Sequence, residues 1–136
     1  MVTQLYTHKM EHFLEIFKAL SDETRVRILS LLISNKESIC VCEIVDALEE
    51  PQYNVSRHLK VLKNAGLAEE NKKGRWKYFS ITRKKDMFTT HLFKTITSIP
   101  TKALRVDSEK LKKRLEVREK GECVMGIQNA HLSSRR

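Results

Sequence analysis

No apolar run in the chain approaches the ~20 residues of a bilayer-spanning helix; stretches such as Leu31-Leu32-Ile33 stop far short. Residues 1–9 are polar where a secretion signal would be apolar, so a soluble, cytoplasmic protein with no membrane partner is expected. Cysteine is scarce: three in 136 residues argue against a disulfide framework and for thiol or metal chemistry. The patterns of thiol enzymes are missing too. No Cys-x-x-Cys occurs, and no cysteine has an arginine six residues on. With no other nucleophile–base constellation in view, an enzyme is not expected. Only two prolines occur, Pro51 and Pro100, and each interrupts a helical pattern. A single domain of this length can bury a core without disulfides or structural metal.

Acidic charge is in deficit, and unevenly. The net charge is +9. Residues 52–85 carry ten lysines and arginines against two acids, whereas residues 1–51 carry five against nine. A basic block of this kind suits a polyanion, whose neutralised phosphates would supply most of the affinity.

Hydrophobic periodicity places the elements. Met10, Phe13, Leu14, Phe17 and Leu20 form the apolar stripe of a helix over residues 8–20, wide enough to face the core and a partner helix together. Its other face carries His8, Glu11, His12 and Glu15, read as a solvated face rather than an ion site. Ser21-Asp22 offers an N-cap to a buried helix over residues 25–33. A short helix over residues 44–48, starting near Cys40–Cys42, is broken at residues 49–52 and followed by a helix over residues 54–65 that stops at Gly66. Helix, tight break, helix, glycine is the pattern of a helix-turn-helix. Residues 67–71 and 76–81 read as strands around Lys72-Lys73-Gly74-Arg75, a wing with three cations at its tip. Trp76, Tyr78 and Phe79 read as packing residues. A further amphipathic helix spans residues 84–99, residues 108–120 have helical composition with few apolar anchors, and residues 121–136 read as loosely ordered.

The fold expected is mainly α with a β-hairpin wing, a winged helix-turn-helix. Residues 1–100 form its DNA-binding and dimerisation domain, and residues 101–136 a C-terminal extension. On the helix over residues 54–65, Val55, Leu59 and Leu62 point inward and leave Ser56, Arg57, His58, Lys60 and Lys63 outward. These are the donors that base edges and phosphates require, with Arg57 best suited to a guanine or a bidentate phosphate contact. His58 reads equally well as an ordinary surface histidine. Lys72, Lys73 and Arg75 would lie along the sugar–phosphate backbone.

Taken together, ALSDETRVRILSLL (residues 19–32), ESICVCEI (37–44) and NVSRHLKVLKNAGL (54–67) resemble the ArsR/SmtB family of winged-helix metalloregulators, and the thiol motif resembles its arsenic-responsive branch. The resemblance implies a homodimer built from the first and last long helices, bound to two-fold operator DNA without any cofactor. It implies release by arsenite or antimonite, As(III) or Sb(III), with Cys40 and Cys42 as the ligands. Gln52, Asn54, Ser56, Arg57 and His58 would meet DNA. Some members carry a third cysteine where this chain has Val45. Cys123 is then one possible third donor; a cellular thiol, or two protein thiols alone, are the others. No Asp-x-His occurs, which disfavours a zinc-type sensor.

Residues i and i+2 of an α-helix lie about 200° apart. If Cys40 and Cys42 both sat in a regular turn, binding one ion would unwind the helix start and unseat the reading helix. The alternative function is a thiol redox switch of the same fold, released by peroxide and not by arsenite.

Overall fold

The computed structural model describes residues 9–128. Its elements run α1 (Met10–Ala19), α2 (Glu23–Ser34), β1 (Ile39–Cys40), α3 (Val41–Leu48), α4 (Gln52–Asn64), β2 (Ala68–Lys73), β3 (Trp76–Ile81), α5 (Met87–Thr97) and α6 (Lys102–Leu115). The three strands form one antiparallel sheet in the order β1-β3-β2. This is the expected winged helix-turn-helix. No described helix is long and apolar enough to cross a membrane.

Local chemistry sets most of the ends. Asp22 caps α2, its carboxylate accepting from the Arg25 N–H at 3.1 Å, a contact worth about 1 kcal/mol. After α4 the chain turns at Gly66, with φ +81°, while the Gly66 N–H reaches the Lys63 carbonyl and the Leu67 N–H the Leu62 carbonyl, both at 3.0 Å. That pair of bonds is the glycine-terminated C-cap, which satisfies carbonyls the helix leaves open. Gly74, with φ +60°, turns the wing, and Lys73 pairs with Trp76 across it.

The core lies where α2, α3 and α4 meet the sheet. Ile28, Leu29, Ile44, Val45, Val55, Leu59 and Leu62 are fully enclosed there. In α1 the inward residues are Ile16 and Ala19. Met10, Leu14 and Phe17 of the expected stripe are exposed, and Phe13 and Phe17 meet Phe88 edge-on. The expected stripe is thus not the buried face of α1: Phe13 and Leu20 are half-buried, and the buried residues, Ile16 and Ala19, lie outside it. Of the face opposite, Glu15 pairs with Lys18 at 3.6 Å, and His8 lies outside the described residues.

The C-terminal part packs more closely than its composition suggests. Residues 102–115 are the helix expected at 108–120, and it lies against α2 and α3. Apolar anchors are few, so charge holds it. Arg27 forks onto the buried Asp107 with two bonds of 2.8 Å, and Arg114 meets Asp46 at 2.7 Å. Residues 121–128 form a strap against α3 where a loose tail was expected, because Cys123 is buried and the carbonyls of Met125 and Gly126 accept from Arg114. Residues 129–136 lie outside the described part.

Candidate metal centre and nucleic-acid interface

Cys40 is the last residue of β1 and the N-cap of α3, in extended conformation with φ −72° and ψ 147°. Cys42 lies in the first turn of α3. The two sulfurs are 3.2 Å apart, the Cys42 thiol donating to Cys40. Two thiols inside a regular helix could not meet, but Cys40 stands outside the helix, and α3 is regular from Val41 onward. The expected unwinding is therefore not needed to bring them together.

The strap adds a third sulfur. Cys123 Sγ is 3.2 Å from Cys42 Sγ, and all three sulfurs lie within 4.8 Å of one another. All three cysteines are free and buried. The backbone N–H of Cys123 donates to the Tyr78 hydroxyl at 2.9 Å, and Cys40 faces Tyr78 across the sheet, so one β3 residue braces two of the three thiols.

Two acids of α3, Arg114 of α6 and Arg118 just beyond the end of α6 surround this group. Glu43 is fully enclosed. Its carboxylate accepts from the Cys40 N–H at 2.9 Å and from Arg118 Nε and Nη2 at 2.8 Å each. Arg114 Nη2 lies 3.7 Å from Cys42 Sγ. Nη1 of Arg114 is a buried nitrogen with no hydrogen-bond partner. The hydrogen bond from Cys42 draws the Cys40 thiol down to about 7. Giving that bond pushes the Cys42 thiol well above the ordinary cysteine range, and burial pushes Cys123 up. Cys40 is thus the thiol that ionises most readily, while Cys42 and Cys123 hold their protons to higher pH, an arrangement that can take a soft electrophile and shed protons.

On α4, Ser56, Arg57, Lys60 and Lys63 are exposed, and Gln52 and Asn54 half-buried. Lys63 is engaged by Glu70 at 2.9 Å. The guanidinium of Arg57 stands 6.0 Å from the ring of Tyr53, an exposed aromatic that periodicity did not single out. His58 does not face outward as expected. It is buried against α2, its Nδ1 3.0 Å from Arg25 Nη1 and 3.9 Å from Asp22. It stands three residues after Val55 and four before Leu62, on the packed face. In the wing, Lys72, Lys73 and Arg75 are exposed, and Arg75 stacks on Trp76 at 4.4 Å.

A basic helix-turn-helix and wing with a buried thiol trio at their junction is a specific combination, and comparison with known proteins gives it a family. Residues 22–70 match the family described as bacterial regulatory protein, arsR family. An HTH-type transcriptional regulator of Methanocaldococcus jannaschii is 48% identical over 73 residues, 54% of this chain and 81% of that protein. The chain belongs to the arsR family. It is a transcriptional regulator of that family. The arsenical resistance operon repressor of Escherichia coli is 39% identical over 69 residues, 51% of this chain and 58% of the repressor. A cadmium resistance regulatory protein homolog of Staphylococcus aureus is 40% identical over 67 residues, 49% of this chain and 54% of that protein. The chain thus spans little more than half the length of these two resistance regulators.

Sequence reasoning missed Glu43, Asp46, Tyr78, Arg114 and Arg118 as parts of the site. Glu43 carried a signal, since an acid three residues after a helix cap reaches back to the cap's N–H. Arg114 is near the end of α6 and Arg118 just beyond it, and only the packing of this segment on α3 reveals their partners.

Proposed function

We propose that this arsR-family regulator is a DNA-binding repressor that releases its operator when arsenite or antimonite is captured by Cys40 and Cys42, with Cys123 as third donor. The observation that carries the reading is the trio of buried sulfurs within 4.8 Å of one another. Trivalent arsenic and antimony keep a lone pair and are satisfied by three soft donors, and thiolates are the softest a protein offers. Capture replaces each bond from metalloid to hydroxide by a bond to sulfur. The thiol proton leaves with the hydroxide as water, and nothing is oxidised. A divalent ion such as zinc ordinarily takes four ligands. Cys40, Cys42 and Cys123 make up the whole of this cluster among the described residues, which favours the three-coordinate guest.

In this reading α4 enters the major groove, with Gln52, Asn54, Ser56 and Arg57 towards base edges and phosphates, assisted by Lys60 and Lys63. Lys72, Lys73 and Arg75 follow the backbone, and DNA binding itself needs no cofactor. A homodimer through α1 and α5 would cover the exposed Met10, Leu14, Phe17 and Met87 and set two reading helices on a two-fold operator. Fluorescence anisotropy on the chain's own upstream DNA tests this. Arsenite should dissociate the complex at stoichiometric levels, and Cys40→Ser and Cys42→Ser should each bind DNA but ignore arsenite. A normal response from both variants would refute the assignment.

The contact of a thiol near 7 with a second sulfur at 3.2 Å also supports a redox switch, in which peroxide joins two thiols as a disulfide and leaves as two waters. That switch would answer to peroxide and not to arsenite in the same titration.

A further inference from the structure

A cavity of about 540 Å³ lies between the start of α4 and the wing, and its lining includes Cys40, Cys42, Gln52, Ser56, Lys72 and Arg75. We propose that this cavity is the loading port of the thiol site, and that operator DNA closes it. The inference rests on the function proposed above and adds the order of events: DNA must leave before the ligand enters.

Three observations carry it. The thiols are almost sealed, Cys40 1% and Cys42 7% exposed, so a guest needs a passage. At ~30 Å³ per water molecule, the cavity has ample room for a hydroxylated metalloid. Its lining also joins the two halves of the proposed mechanism. Two thiols of the ligand site share one cavity with Gln52 and Ser56 of the reading helix and Lys72 and Arg75 of the wing, the side chains proposed to meet DNA. A duplex seated on α4 and the wing lays its phosphates across that opening.

The lining has a sign. Lys72, Arg75 and Lys77 contribute to it and no carboxylate does. A concave wall of one charge concentrates its field. It repels a hydrated divalent cation and admits an uncharged metalloid hydroxide or an anionic thiol complex. Selectivity thus begins at the port, before any sulfur is met.

Stopped-flow anisotropy decides the order. The full chain is bound to labelled promoter duplex and mixed with increasing arsenite, or with excess unlabelled duplex. The release rate should level off at the rate seen with unlabelled duplex. A rate that keeps rising with arsenite beyond that value overturns the proposal, because ligand would then be entering the bound complex. Failure of arsenite to release DNA at any time strikes the proposed function instead. The port is then judged without inducer, by alkylating Cys40 with iodoacetamide and following the peptide by mass spectrometry. Saturating duplex should slow alkylation in proportion to the fraction bound; equal rates with and without duplex refute the port. An anionic methanethiosulfonate should react faster than a cationic one of similar size, on the order of tenfold at low salt. A cationic reagent that reacts equally fast or faster also refutes it.

Discussion

Replacing Arg118 with methionine tests whether the ion pairs made by the end of α6 and the residues after it hold the thiol site. The Arg118 side chain is 8% exposed and Glu43 is wholly enclosed, with two bonds of 2.8 Å between them. Methionine keeps much of the aliphatic stem but leaves the carboxylate without a counter-charge in a place water does not reach. Removing one partner of such a pair costs about 3–5 kcal/mol, far more than breaking an exposed one. For a chain of this size that lowers the melting temperature by roughly 10–15 °C. Thermal and urea melts followed by circular dichroism, with thiols kept reduced, give the number. The double variant Glu43→Gln/Arg118→Met discriminates further. Glutamine retains an oxygen for the Cys40 N–H and removes the charge, so the pair should regain most of the loss. A single-variant loss below about 1 kcal/mol, the scale of an exposed pair, would refute the reasoning. So would a double variant no more stable than the single.

Two further predictions concern protons. Burial lowers His58 below the ordinary histidine value of 6.5, against Asp22 and Glu50, which favour its charge, and with Arg25 and Arg57, which oppose it. The unfolded chain then takes up a proton that the folded chain refuses. Stability should fall as pH drops below 6.5 and stop falling once the folded-state value is passed; urea midpoints measured across that range should show it, and His58→Gln should lose this component. Cys40, drawn down to about 7 by the bond from Cys42, should alkylate at a rate that rises through about pH 7 in the free protein. Cys42→Ala removes the donor and should move that midpoint up towards the ordinary cysteine range.

The sequence was most legible where one residue type can do one thing. Gly66 ends α4 because its φ of +81° suits glycine, and the wing turn at Gly74 follows the same logic. Element starts were less legible. α3 begins at Val41, at the Cys40–Cys42 start that was expected, although its helical run was read only from Ile44. α4 begins at Gln52, directly after Pro51, whose fixed φ suits the residue before a helix. The start of α6 was misplaced by six residues because its hold is ionic, through Asp107 and Arg114, and periodicity registers only apolar faces. His58 was legible in principle and misassigned in practice. The period that buried Val55, Leu59 and Leu62 also buries position 58, and its polar type outweighed its place.

The position of Cys123 could not be read from the sequence at all. It meets Cys42 across 81 residues of chain, brought there by Arg114 holding the Met125 and Gly126 carbonyls and by Tyr78 holding the Cys123 N–H. That placement changes how a ligand could act on DNA. With Cys40 outside the helix, an ion bridging the trio has no turn of α3 to break, and α4 can keep its seat. What remains is the sheet. Cys40 pairs with Tyr78, Tyr78 accepts from Cys123, and β3 runs from Tyr78 back to Trp76 at the tip of the wing. A change in spacing among the three sulfurs therefore has a direct path through β3 to the base of the wing and the cavity beside it, in addition to the packing of α3 on α4.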